Sequence, residues 1–243
     1  IKAMERVNGT AAKHPEDFSL SELDRLVEQF VFAAECCKAC GFDGVQIHTA
    51  HGYLLSNFLN PSENRRTDAY GGCLENRFRL IGRILSAVRA ACGDDFAVLV
   101  KADCNGCGDF PALLKLYESC GVDAVEVSGI DFNAKAGQRE PFYLDELLAA
   151  RQNCKLPLLL VGGIFSRQAA EAVLDRGIDF VSFSRSLICD PAFIAKMKAG
   201  TQETSRCLAC NACYTIFRSR YVRCIQHKNE IPQLKKVFGS QEP

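Results

Sequence analysis

The sequence predicts a parallel α/β sheet built from repeated strand and helix units, and three observations predict it. First, one short pattern recurs: Gly41-Phe42-Asp43-Gly44-Val45-Gln46-Ile47, then Gly121-Val122-Asp123-Ala124-Val125-Glu126-Val127, then Gly177-Ile178-Asp179-Phe180-Val181-Ser182-Phe183. In each copy a glycine ends a helix in a left-handed conformation at no steric cost, two to three residues turn the chain, and an apolar, β-branched run reads as a buried parallel strand. Second, helical stretches alternate with these runs. Third, polar residues collect at the C-terminal ends of the strands.

The helices are read from caps and periodicity. Ser19-Leu20-Ser21-Glu22 is a capping box, and Leu23, Leu26, Val27, Phe30 and Ala34 follow at helical spacing. Leu74 to Cys92 is a second long helix, closed by Gly93. Asp109 to Cys120, Ser166 to Arg176 and Pro191 to Ala199 are three more, with Pro191 placed as a first-turn proline. Strands fall near 43–48, 96–102, 123–129, 156–162 and 179–184. Two architectures fit, an open doubly wound sheet or a (β/α)8 barrel. No Gly-x-Gly-x-x-Gly follows any strand, which weighs against the dinucleotide-binding open sheet. Five strands are too few to close a barrel of eight.

Composition narrows the functional classes. Of the 243 residues 48% are apolar, enough for a full core, and Lys plus Arg equals Asp plus Glu at 29 each. Neither nucleic acid nor an anionic membrane surface is the partner that such a balance suggests. No apolar run approaches the roughly 18 residues of a spanning helix. Lys2, Glu5, Arg6 and Lys13 interrupt the start, so no secretory leader pattern is read there. The fourteen cysteines mostly sit within apolar helix or strand patterns, such as Cys36, Cys37, Cys40 and Cys120. They read as small buried hydrophobes in a reducing compartment, so a cytoplasmic location is expected.

The strand ends carry the chemistry. They read His48-Thr49-Ala50-His51-Gly52-Tyr53, Lys101-Ala102-Asp103, Ser128-Gly129, Gly162-Gly163 and Ser184-Arg185. In α/β barrels the active site is assembled at this face from several strands. Two neutral imidazoles at His48 and His51 can hold an anionic or carbonyl oxygen, with the Tyr53 phenol donating a proton. The other reading is two hydrogen-bonded histidines capping a strand end. Gly162 and Gly163 let a phosphate approach backbone N–H groups, and Arg185 adds a fixed charge beside Ser184; a tight turn and a surface arginine are the plainer alternative. Lys101 lies within the apolar run Val98-Leu99-Val100-Lys101-Ala102, where a cation needs an anion, a ligand or an outlet to solvent.

These motifs resemble a known family. Phe42-Asp43-Gly44-Val45-Gln46-Ile47-His48-Thr49-Ala50-His51-Gly52-Tyr53-Leu54-Leu55 is similar to the strand-4 segment of old yellow enzymes and NADH:flavin oxidoreductases. Asn57-Phe58-Leu59-Asn60-Pro61, Asn64-Arg65-Arg66-Thr67-Asp68-Ala69-Tyr70-Gly71-Gly72 and Leu74-Glu75-Asn76-Arg77-Phe78-Arg79 continue the match in order, and it runs from about residue 18 to at least 200. The resemblance implies a partial (β/α)8 TIM barrel, with about five of eight units present in residues 1–203 and a Cys-rich tail in 204–243. It implies non-covalent FMN, NADH or NADPH as hydride donor, and an activated alkene or similar small molecule as acceptor. It makes His48 and His51 the pair that holds the substrate's activating oxygen and Tyr53 the proton donor. It puts Lys101 near flavin N1 and O2, and Gly162, Gly163, Ser184 and Arg185 at the FMN phosphate. The family carries three more strands before the segment matched here. A five-strand segment is therefore expected to expose sheet edges, to self-associate, and to bind FMN weakly by itself.

Cys207-Leu208-Ala209-Cys210-Asn211-Ala212-Cys213, followed by Cys224, resembles the segment that holds a 4Fe–4S cluster in the dienoyl-CoA reductase and trimethylamine dehydrogenase branch. The third cysteine arrives one residue early, so zinc and free or redox-active thiols stay open beside the cluster. Two other functions compete with the flavin reading: an iron–sulfur electron-transfer module and a non-catalytic barrel fragment.

Overall fold

A computed structural model describes residues 14–152, 154–214 and 224–226. Five parallel strands form one sheet in strictly sequential order. They are β1 (Gly44–Thr49), β2 (Ala97–Asp103), β3 (Ala124–Ser128), β4 (Leu158–Val161) and β5 (Phe180–Ser182). The connecting helices are α1 (Leu20–Ala39), α2 (Leu54–Leu59), α3 (Leu74–Cys92), α4 (Phe110–Ser119), α5 (Leu144–Arg151), α6 (Arg167–Asp175), α7 (Arg185–Cys189) and α8 (Phe193–Lys198). A doubly wound sheet reverses its strand order at a switch point. No reversal occurs here, so the sheet is the arc of a singly wound barrel.

Alternation along each strand separates two faces. Ile47, Val98, Val100, Val125, Val127, Leu158 and Leu160 point outward and share one core with Leu80, Ile81, Ile84, Leu85 and Val88 of α3 and with Leu113, Leu114 and Tyr117 of α4. The inward set is polar at its centre, with His48, Lys101 and Glu126 aligned across neighbouring strands. Phe180 on β5, in line with Leu159, is 55% exposed. Among the described residues β1 and β5 each pair on one side only. The expected uncovered edges and inner face are thus present.

The recurring Gly-x-Asp unit has a structural reason. Gly41, Gly121 and Gly177 all take positive φ, at 83°, 69° and 87°. The aspartate then serves the neighbouring strand. Asp123 Oδ2 accepts from Val98 N at 2.7 Å and Asp179 Oδ2 from Leu158 N at 2.8 Å. An arginine on the helix before that neighbouring strand holds each carboxylate, Arg89 of α3 on Asp123 and Arg151 of α5 on Asp179. The Ser19 capping box forms as read, with Ser19 N donating to Glu22 Oε2 at 2.8 Å.

Several boundaries differ from the sequence reading. Pro191 precedes its helix and does not enter it: Asp190 O accepts from Phe193 N at 3.0 Å in a tight turn, so α8 starts at Phe193. The strand expected over 179–184 stops at Ser182, because Ser184 caps α7. Helices α2, α5 and α7 were not read, being only five to eight residues long. No helix among the described residues is long and apolar enough to cross a membrane.

One buried arginine ties the loops below the mouth of the arc. Arg77, 8% exposed, donates from Nε to Leu59 O at 2.8 Å, from Nη2 to Cys107 O at 2.9 Å, and from Nη1 to Gly72 O. Removing the guanidinium leaves three carbonyls without their donors. Arg77→Ala is expected to lower unfolding free energy by about 3–5 kcal/mol in urea titrations.

Candidate active site

The eight strand-end residues picked out by sequence line one cavity of about 890 Å³. They are His48, His51, Tyr53, Lys101, Gly162, Gly163, Ser184 and Arg185, and Ser128, Phe132, Phe142, Tyr143, Ser182 and Tyr214 complete much of the wall.

His48 comes from β1 itself, while His51 sits on the turn after it with φ 65°. That left-handed backbone is unusual for a residue with a side chain. It is held by Asp103 at the end of β2, whose Oδ2 accepts from His51 N at 2.6 Å and from Ser56 Oγ at 3.0 Å. The His51 ring is fixed at its far side by Nε2 to Ser128 Oγ at 2.9 Å. The rings of His48 and His51 lie 5.4 Å apart, and Tyr53 is 5.3 Å from His48. Tyr53 is 42% exposed at the mouth. Two aromatic residues that sequence reasoning missed extend this wall: Phe132, 4.8 Å from His51, and Tyr214, 5.6 Å from Phe132. They come from distant segments, and no local pattern joins them.

Burial depresses the His51 pKa to about 4, helped by the Lys101 charge and by His48. His48 is lowered for the same first two reasons. Both imidazoles are therefore neutral at pH 7, and each can present one N–H donor. Asp103, only 4% exposed and with Oδ1 lacking a partner, is pushed up to about 6 by desolvation.

Lys101 finds its anion inside the sheet. Its Nζ contacts Glu126 Oε1, and Glu126 Oε2 accepts from Ser182 Oγ at 3.1 Å. Glu126 was legible as a carboxylate within an apolar strand, but was not singled out.

The glycine pair has a packing reason of its own. A Cβ on Gly163 would fall 1.7 Å from Glu140 O, and one on Gly162 would fall 3.0 Å from Phe142 Cδ2. Both have positive φ, 124° at Gly162 and 73° at Gly163. Arg185 is 9% exposed and lies over the Phe165 ring at 5.3 Å. It is no surface arginine. Its Nη1 donates to Ala209 O at 3.1 Å and to Asn211 Oδ1 at 2.5 Å. Among the described residues, Nε and Nη2 take no protein acceptor, which leaves two donors for an anion.

The segment after residue 203 is stitched onto the barrel. Ser205 N donates to Phe165 O at 2.7 Å, Gly137 N to Ala209 O at 2.9 Å, and Arg139 Nη2 to Ser205 O at 2.8 Å. Cys207, Cys210, Cys213 and Cys224 line one small pocket behind Arg185 and Asn211. All four are free thiols. Among the described residues no group of three or more His, Cys, Asp or Glu is placed to hold a metal ion. The four thiols thus share one pocket beside Arg185.

Comparison with known proteins agrees with this fold. Residues 2–204 match the model of the NADH:flavin oxidoreductase / NADH oxidase family. The chain is 31% identical over 230 residues to an NADH oxidase of Thermoanaerobacter brockii, covering 86% of this chain and 35% of that protein. It superimposes on a 2-naphthoyl-CoA reductase with a TM-score of 0.76 at 25% identity, over 85% of this chain and 34% of the other. It superimposes on the old yellow enzyme homologue of Zymomonas mobilis with a TM-score of 0.65 at 28% identity, over 77% and 55%. The site and fold define a partial TIM barrel of the flavin oxidoreductase class. The chain belongs to the NADH:flavin oxidoreductase / NADH oxidase family, and it spans about a third to a half of the length of these relatives.

The depressed His51 pKa makes a test. Its ring is expected to titrate near pH 4, against an ordinary 6.5, in NMR spectra followed over pH. Between those values the unfolded chain takes the proton first, so this contribution to stability falls as pH falls. Asp103 acts in the opposite sense. Its folded-state stabilisation is full below 3.8 and is lost as pH rises through about 6.

Proposed function

We propose that this chain forms much of the FMN site of an oxidoreductase that passes a hydride from NADH or NADPH, through the flavin, to an activated alkene or a similar acceptor. The observation that carries the reading is the convergence of His48, His51, Tyr53, Lys101, Gly162, Gly163, Ser184 and Arg185 on one cavity at the C-terminal ends of parallel strands.

The residues fit the cofactor. Arg185 keeps two donors for a phosphate beside Ser184 and the Gly162-Gly163 backbone. Lys101 lines the same cavity and would supply the positive charge near the ring. When bound, FMN supplies the hydride chemistry, and the protein supplies position and electrostatics.

His48 and His51, neutral at pH 7, donate to the activating oxygen of the acceptor and withdraw charge from its double bond. Neutrality matters, because a neutral donor can hold a carbonyl oxygen without drawing a bulk anion into the site. Asp103 and Ser128 keep the His51 backbone and ring in place. Tyr53 stands at the mouth, 5.3 Å from His48 by ring centres, where its phenol can deliver a proton to the acceptor carbon. His48, His51, Phe132 and Tyr53 form one wall of rings against which an acceptor would lie.

The test is a two-step spectroscopic assay on the full chain loaded with FMN. Anaerobic NADH or NADPH should bleach the yellow chromophore, and an enone should restore it. Tyr53→Phe should leave FMN binding and bleaching intact while slowing alkene reduction by about 10²–10⁴-fold. A variant as fast as the parent would remove Tyr53 from the role of proton donor, and a chain that binds no FMN would end the reading.

A further inference from the structure

None of the roles above uses Glu126, yet it is the nearest opposite charge to the cation of the site. Parallel register sets His48 beside Lys101 and Lys101 beside Glu126. The Lys101 and Glu126 side chains are only 17% and 14% exposed and touch through Nζ and Oε1. Ser182, on the last strand, donates to the other carboxylate oxygen at 3.1 Å and stops it from rotating away. The three residues thus form a fixed row across β2, β3 and β5 on the inner face.

A buried ion pair of this kind is a weak source of stability, because desolvation offsets the attraction. Its effect on the local potential is large in a site shielded from water. That effect is visible at both imidazoles, where Lys101 lowers the pKa and Glu126 raises it. The field of the carboxylate therefore acts on the same imidazoles as that of the ammonium, with the opposite sign.

We propose that Glu126 is the counter-charge of Lys101, and that it sets how much of the ammonium's positive field a bound flavin ring experiences. This rests on the reading of Lys101 as the cation beside the ring. A bare cation favours the negative charge that the ring gains on reduction and so makes reduction easier. The carboxylate cancels part of that field and holds the reduction potential below the value that Lys101 alone would give. Glu126 is a positioning and tuning residue. It need touch neither donor nor acceptor.

The experiment compares the parent chain with Glu126→Gln, Glu126→Asp and Lys101→Met. Two quantities are read: the midpoint potential of bound FMN, and the pKa of His51 by NMR in the protein without FMN. Glu126→Gln should raise the ratio of reduced to oxidised flavin at least threefold at a fixed reference potential, a positive shift of about 15 mV for a two-electron couple. It should also depress the His51 pKa further. Glu126→Asp, which keeps the charge, should stay close to the parent in both. Lys101→Met should move the potential the other way. A Glu126→Gln potential that is unchanged or more negative, beside a lowered one in Lys101→Met, overturns the counter-charge and leaves Glu126 a mere tether. A potential that ignores Lys101→Met overturns the flavin assignment of Lys101, and the proposal with it. An unmoved His51 pKa in Glu126→Gln overturns the counter-charge even where no flavin is bound.

Discussion

Parallel strand register is the constraint on which the site depends. A strand has two faces, and a shift of one residue would turn every side chain to the other. In this sheet His48, Lys101 and Glu126 stand opposite one another across three strands, so all three face inward together. Their neighbours Ile47, Val100 and Val127 then face the helices and build the core. The apolar outer face and the polar inner face are thus two consequences of one register. The Asp123 and Asp179 carboxylates reinforce it by taking N–H groups at the start of adjoining strands, Val98 N and Leu158 N.

The electrostatics of the cavity follow from that placement. Burial and the Lys101 ammonium keep the imidazoles neutral, which makes them hydrogen-bond donors to an oxygen and not fixed cations. Glu126 prevents the ammonium from dominating. Arg185 stands apart, buried against Phe165 and tethered to the Ala209 and Asn211 segment, with donors left over. The cavity therefore has a buried arginine with donors to spare at one end and an ammonium already paired with a carboxylate elsewhere in its lining. The post-203 segment orients Arg185 and carries Tyr214 onto the aromatic wall.

Much of this was legible in the chain. The Gly-x-Asp repeat located three of the five strands, because a helix-ending glycine before an apolar run has few other uses. The strand-end residues were legible for the same reason: once the strands are placed, position along them decides which end a residue occupies. Helices α2, α5 and α7 were not, because five to eight residues hold too few turns to show a period. Phe132 and Tyr214 were invisible, since their contact with His51 joins segments that only the fold brings together. The glycines at 162 and 163 were read as room for a ligand, and the structure adds a second demand, the close approach of Glu140 and Phe142. The Cys-x-x-Cys-Asn-x-Cys stretch was legible as a cluster of thiols. Its thiols gather in one pocket without forming a metal-binding group among the described residues.

The central claim is that the strand ends form one cofactor cavity with a dedicated phosphate end. Fluorescence titration of the full chain with FMN and with riboflavin tests it directly, since the two ligands differ only in the phosphate. The account predicts that FMN binds at one site per chain and at least tenfold tighter than riboflavin, and that Arg185→Ala removes most of that difference. Equal affinities in the parent chain, or a preference that survives Arg185→Ala, would contradict it.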